Sequence, residues 1–409
     1  MKLKFIDLRM FKFIDWLLFG NIILLILFSF VAIASAQSHP LSDTSSSLAA
    51  AIEHLELYHV LQQLAWFGIG LLAMFIVLIP DYHAIGEYYK WMYVIVIALL
   101  VAVYLFGTEV SGTKGWFRIG NSGFQPAELG KIVMIIAIAR MLANRTRGKD
   151  GGIRKIRDIL PVAAVFALPV LLVMIQPDWG TALVYAFTFF FMLLIARTSI
   201  KLIIGLLACT GVALPAAWLI MAPWQRIRFY TFFGIQTETL TDQQFEDFSR
   251  QANQARIAVG SGQLSGKGLF SLGGESRLTH IAEKHTDFIF ATTAEAIGFV
   301  GALLLIVLYF ALIFRTMYIA SRAKDDFGML IVVGVMAMTL FHVFQNIGMN
   351  IGVMPISGIP LPFLSYGGSH LLTNMIAFGL VINVSMRRQN WGTSRTIGGG
   401  MRGMGNGRY

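Results

Sequence analysis

Apolar residues in this chain come in long blocks rather than in alternating or short amphipathic patterns. Ten blocks lie at about 16–36, 59–79, 91–107, 128–144, 159–175, 179–196, 201–221, 286–314, 328–350 and 367–386. Each approaches the roughly 20 residues that a helix needs to cross a bilayer, where unpaired backbone groups rule out open structures. The fourth block is interrupted by Glu128, Lys131 and Arg140. The pattern predicts an all-α polytopic membrane protein of about ten transmembrane helices. Composition agrees: 56% of residues are hydrophobic and 13% charged, against about 45–50% and 25% in soluble domains. A soluble enzyme and a disordered chain are both excluded.

Charge orients the spans. Counting alternate ends, 22 of the 32 Lys and Arg fall on the side of the N-terminus, and 3 fall in or beside the short loops opposite; the remaining 7 lie in a long segment at 222–285. Long segments cross largely regardless of charge, so the positive-inside rule places both termini in the cytoplasm. The expected organisation is a cytoplasmic tail at 1–15, a membrane domain at 16–386 with 222–285 as a long extracytoplasmic loop, and a disordered cytoplasmic tail at 387–409. Lys2, Lys4, Arg9 and Lys12 before the first block, and Ala34-Ser35-Ala36 after it, imitate a secretion signal. The apolar stretch is too long for one, so a retained span is expected. The net charge of +10 reads as attraction to anionic inner-leaflet lipid, and no nucleic-acid partner is expected. Cys209, the one cysteine, offers neither a disulfide nor a thiolate metal site.

Ionisable groups near membrane depth mark function, and here they gather on the outer face. Gly112 to Gly120, containing Lys114, Trp116 and Arg118, leads into Gln125-Pro126-Ala127-Glu128 and Lys131. Glu128 and Lys131 share a helix face and can pair; a structural ion pair with an interfacial Trp is the plain alternative. Gln176-Pro177-Asp178-Trp179-Gly180-Thr181 joins two spans, and Asp178 either caps the second or touches substrate. The long segment opens on the basic, aromatic run Trp224 to Phe229 and ends in glycines around Lys267, which reads as a flexible loop. Lys284-His285-Thr286-Asp287 then runs straight into an apolar helix, with Glu295 about 12 Å deeper on a similar face. Between the last two spans, 350–369 is uncharged and rich in Pro and Gly and includes Ser365. That composition suits a re-entrant segment buried in protein.

Taken together, these motifs resemble the SEDS family (shape, elongation, division, sporulation) of membrane peptidoglycan glycosyltransferases, and within it the RodA type. The residues that carry the likeness are Gly112 to Gly120, Gln125 to Glu128 with Lys131, Gln176-Pro177-Asp178 with Gly180-Thr181, Gln225-Arg226 with Arg228, Gly260-Ser261-Gly262 with Gly266-Lys267-Gly268, His285 to Phe290, and Pro360 to Ser369. Departures are Gly115 for Arg, Ala127 for Ser, Ala282 and Lys284 for Pro and Arg, Ala296 for Glu, and His370 for Ser.

The resemblance implies a bacterial cytoplasmic-membrane enzyme that polymerises lipid II on the outer face, for elongation and rod shape. It also implies a class B penicillin-binding transpeptidase as partner, with other elongation-complex membrane proteins. Asp287 matches the family's catalytic aspartate, and Trp116, Glu128 and Lys131 match positions important for activity. Asp287 is then the general base for the attacking sugar hydroxyl, and diphosphate leaves as a stable anion that needs little protonation. Arg118, Lys131 or a divalent cation (Mg or Mn) would stabilise that anion; no other cofactor is expected. Expected substrate contacts are Trp116, Arg118, Gln125, Glu128, Lys131, Asp178, Lys267, Lys284, His285, Glu295 and Ser365. A lipid II flippase, a division or sporulation paralogue with the same chemistry, and a noncatalytic scaffold are the alternatives.

Overall fold

The computed structural model describes residues 12–37, 57–110, 112–120, 122–146, 152–221, 223–235, 242–269 and 284–388. Most of both predicted tails, 1–11 and 389–409, lies outside the described residues, as does 270–283 of the long outer segment.

The apolar blocks form helices α1 (Trp16–Gln37), α2 (Tyr58–Leu78), α4 (Tyr89–Phe106), α5 (Pro126–Thr146), α6 (Ile156–Ile175), α7 (Trp179–Ile195), α8 (Ile200–Ile220), α11 (Ile289–Ser321), α12 (Asp326–Asn350) and α13 (Gly368–Met386). Among the described residues seven of these, α1, α2, α4, α6, α11, α12 and α13, are long and apolar enough to cross a membrane. The chain is a membrane protein.

α12 and α13 are buried on nearly all faces, whereas α2 and α4 leave most of their apolar side chains exposed. The first pair therefore forms the centre of the bundle, and the second presents its surface to lipid. α13 packs along α2, and α12 packs against α11, α7 and α5. Small residues permit the closest approaches: a Cβ at Gly334 of α12 would sit 2.5 Å from Ile135 of α5.

Three features depart from the expected architecture. The connection before α5 is an antiparallel sheet in the order β1 (Thr108–Val110), β2 (Thr113–Ile119), β3 (Ser122–Phe124), with Phe117 opposite Phe124. The fold is thus helical with a small sheet rather than all-α. A short helix α3 (Tyr82–Glu87) also joins α2 to α4.

Secondly, the long outer segment contains α9 (Pro223–Phe233) and α10 (Asp242–Ser261). Its glycine-containing stretch at 263–268 is docked rather than flexible. The backbone N–H groups of Lys267 and Gly268 donate to the Glu295 and Ala296 carbonyls of α11, and those of Phe299 and Val300 donate to Gln263 and Leu264. Thirdly, α11 is broken at Gly298, whose φ of 68° lies in the left-handed region that favours glycine. The break frees backbone groups, and the 263–268 segment satisfies them, which explains why a polar loop is held against an apolar helix.

Candidate active site

Asp287 lies two residues before α11, in the turn 284–288. The surrounding backbone is fixed by side chains of the central helices. Asn346 Nδ2 and Asn350 Nδ2 donate to the Asp287 carbonyl at 2.9 and 3.1 Å, and Asn350 Oδ1 accepts from Ala291 N–H. Ser365 Oγ donates to the Thr286 carbonyl at 2.7 Å and accepts from Leu361 N–H at 2.8 Å. Tyr366 N–H donates to the His285 carbonyl, and the His285 ring stands 4.8 Å from His59 and 5.4 Å from Tyr366. The 351–367 segment is irregular, with 359–365 mostly buried in protein. It therefore braces the turn that carries Asp287. Ser365, expected as a substrate contact, uses its hydroxyl on this bracing.

The Asp287 carboxylate faces Arg228 of α9. A Cβ at Gly358 would lie 3.5 Å from Asp287 Oδ2 and 3.7 Å from Arg228 Nη1. Burial pushes the Arg228 guanidinium pKa down, opposed by the charges of Asp287 and Asp178. Asp178 caps α7 by accepting from Thr181 N–H at 3.0 Å, and its other oxygen accepts from Gln125 Nε2 at 2.7 Å. Burial raises its pKa, against the lowering hydrogen bonds from Thr181. Gln225 Nε2 ties α9 to the same connection through the Pro177 carbonyl at 2.7 Å.

A second, fully buried cluster adjoins Asp178. Lys131 Nζ donates to Glu128 Oε1 at 2.7 Å and lies 3.2 Å from His342 Nε2; His370 Nδ1 lies 3.0 Å from Glu128 Oε2. The partners fix the tautomers. His342 Nδ1 sits 3.0 Å from the Pro360 carbonyl, which only accepts, so Nδ1 carries the proton and Nε2 accepts from Lys131. Asn374 Nδ2 reaches His370 Nε2 at 3.1 Å while also donating to the His370 carbonyl, so His370 Nδ1 donates to Glu128. One carboxylate and one ammonium cancel, and each is hydrogen-bonded, which is the condition for keeping charge in a low-dielectric interior.

Gln125, Glu128, Lys131, Asp178, His285 and Asp287 are therefore gathered at one end of the bundle. Of the other predicted contacts, Lys284 begins the turn that carries Asp287, and Gly115, beside Trp116, borders Gln125 and Gln176. Trp116 packs its ring beside Gly123 on the sheet, and Arg118 is exposed there with no ion pair to another described residue. Lys267 Nζ donates to Glu295 Oε1 at 2.5 Å, so the pair fastens the docked loop to α11. The Lys284 carbonyl accepts from Thr292 Oγ1 at 3.0 Å.

The family model described as cell cycle protein, FtsW/RodA/SpoVE, matches residues 15–390. The chain belongs to this family. It is 36% identical over 300 residues to the peptidoglycan glycosyltransferase MrdB of Escherichia coli K12, covering 73% of this chain and 78% of the relative. It is 33% identical over 330 residues to stage V sporulation protein E of Bacillus subtilis, covering 79% and 86%. Two solved structures share the fold at 26% identity. One is a chain of a peptidoglycan synthase complex that coordinates polymerization and crosslinking (TM-score 0.72, covering 92% of this chain and 99% of that one). The other is the rod shape determining protein RodA of Thermus thermophilus (TM-score 0.65, covering 92% and 97%).

Within this FtsW/RodA/SpoVE chain, the sequence marks Arg228 as part of a basic, aromatic stretch and as one of the residues that carry the resemblance, without a place in the site. His342, Asn346 and Asn350 were legible in principle. They recur every four residues on an otherwise apolar helix, a polar stripe that must face protein. His370, the departure from a usual Ser, supplies a second donor to Glu128.

Proposed function

We propose that this chain is a peptidoglycan polymerase that joins lipid II disaccharide units at the outer face of the bacterial cytoplasmic membrane. The observation that carries the reading is Asp287, held by Asn346, Asn350 and Ser365 with its carboxylate facing the Arg228 guanidinium. A rigid carboxylate takes the proton of an incoming sugar hydroxyl as that oxygen attacks the anomeric carbon. The bond to the lipid diphosphate breaks with its electron pair on the departing oxygen, and fixed cations stabilise that charge without reorganising. Arg228 is the nearest candidate; Lys131 acts at a remove, through Glu128 and Asp178. Glycosidases need a flanking acid as well as a base, but a diphosphate leaves without one. A divalent cation such as Mg2+ or Mn2+, if bound, would supply further positive charge to the departing diphosphate. The described residues assemble no group of three or more His, Cys, Asp or Glu that could hold a metal ion.

Ten spans with both termini inside fit the proposal, since they place the turn at 284–288 and the start of α5 on the same outer side. A carrier would set ionisable groups near the midplane. Here Glu128 lies in the first turn of α5 and His370 in the first turn of α13, at helix ends. The named relatives support elongation through MrdB and RodA, while the sporulation relative has comparable identity. We assign elongation, with a class B penicillin-binding transpeptidase as partner. The synthase-complex neighbour supports that pairing.

The test is labelled lipid II given to the purified chain with its partner, scored as glycan length on a gel. Asp287→Ala is expected to abolish product while leaving expression and partner binding intact. Product retained by that variant removes Asp287 from the mechanism.

A further inference from the structure

Beside the Asp287 turn, a cavity of about 200 Å³ opens between α9, α10 and the 349–356 segment. Two arginines line it, Arg228 of α9 and Arg256 of α10, with Thr231, Ser249 and Asn253. The helical spacing is what a shared inner face requires: 228 and 231 on α9, and 249, 253 and 256 on α10. Arg256 is steered into this space. Its guanidinium donates to Asn253 Oδ1, and its Cδ passes so close to Gly352 that a Cβ there would sit 2.5 Å away. Gly352 has φ of +80°, so a side chain at that position is disfavoured twice over. Among the described residues Arg256 has no carboxylate within ion-pair distance. No Asp or Glu lines the cavity.

We infer that this cavity is the seat of a diphosphate group, held between the guanidinium groups of Arg228 and Arg256, with Asn253 holding Arg256 in place and the Thr231 and Ser249 hydroxyls able to donate to its outer oxygens. The inference rests on the polymerase reading for the identity of the diphosphate as that of a prenyl-linked sugar. The chemistry of the site stands without that reading. Guanidinium forks match phosphate oxygens bidentately, which an ammonium does not. Arg228 is shared: one side meets Asp287 and the other lines the cavity. A diphosphate seated there is held off from the Asp287 carboxylate by the intervening Arg228 cation. Arg256 thereby becomes a binding residue for the reaction, contributed by an outer helix that the sequence treats as loop.

The same charge pattern could hold the phosphodiester of an ordinary anionic phospholipid, and the experiment separates the two. The full-length protein in phosphatidylcholine nanodiscs is titrated with labelled inorganic pyrophosphate, and again in nanodiscs containing phosphatidylglycerol. Wild type and Asp287→Asn are expected to bind pyrophosphate in both lipids, weakening as salt rises. Arg256→Met is expected to bind it at least about tenfold more weakly, the loss of one charge-assisted contact, and Arg256→Lys is expected to recover only part of that loss. Equal binding by wild type and Arg256→Met overturns the assignment. So does abolition of pyrophosphate binding by phosphatidylglycerol, which would make the cavity a phospholipid headgroup site. Gly352→Ala, which displaces Arg256 without removing it, is expected to weaken binding too; unchanged binding counts against Arg256 being the ligand. Lipid II polymerisation by the same wild-type sample keeps the two readings apart. Polymerisation without pyrophosphate binding overturns the cavity alone, whereas Arg256-dependent binding without polymerisation overturns the polymerase reading and leaves the site standing.

Discussion

Removing the cation from the buried Glu128 cluster is the sharpest test of how the centre of the bundle is held. In Lys131→Met the carboxylate keeps His370 as a donor at 3.0 Å but loses the ammonium at 2.7 Å. At an effective dielectric of about 20 that attraction is about 6 kcal/mol. Part is returned because Lys131 no longer has to be desolvated, and breaking a buried pair from one side costs about 3–5 kcal/mol net. The double variant Glu128→Gln, Lys131→Met leaves no uncompensated charge and is expected to cost less than Lys131→Met alone, so the cycle yields a coupling of at least about 2 kcal/mol. The assay is reversible unfolding in mixed micelles, followed by helical signal, for the wild type, both single variants and the double variant. A Lys131→Met protein within about 1 kcal/mol of wild type, or single effects that simply add, refutes the account of the cluster as a matched ion pair in a dry interior.

Other expectations follow from the same geometry. Gly298→Ala forces a left-handed residue into the Gly266 backbone and is expected to cost more than about 2 kcal/mol, with faster hydrogen exchange across 263–268; unaltered exchange there removes the docking role of the break. Asp178→Ala loses the α7 cap and about 1 kcal/mol, measured by the same unfolding assay, whereas Asp178→Asn should lose less. Glu295→Gln, which weakens the bond to Lys267, is expected to lower stability yet keep polymerisation within about tenfold of wild type, and a loss as complete as that of Asp287→Ala would return Glu295 to the reacting centre. A pH dependence is expected where the α2–α3 and α11–α12 connections meet. Burial raises the carboxyl pKa of both Asp81 and Asp325, but hydrogen bonds from His83 to Asp81, and from Tyr82 and Gly328 to Asp325, more than offset it and leave both lowered. A lowered folded pKa gives stability that is present above the unfolded value of about 3.9 and lost as pH falls through the folded one. Unfolding midpoints should therefore drop below about pH 4, and less steeply in Asp325→Asn.

The sequence by itself determined the membrane class and the apolar helices. Those properties depend on local quantities, namely block length, charge per block and the cost of ionised groups in lipid, so they can be read without knowing what packs on what. Asp287 was legible for the same reason, as an acid at the head of an apolar helix. The pairings were not. Arg228, which Asp287 faces, comes from a helix inside what reads as a loop, His342 and His370, which meet Lys131 and Glu128, come from two different spans, and Lys267 binds Glu295 where the Gly298 break opens backbone groups that a neighbouring loop fills. Pairing across 28 to 242 residues is fixed by which faces of the helices bury together. That choice belongs to the whole bundle, and only the tertiary structure decides which buried charge meets which.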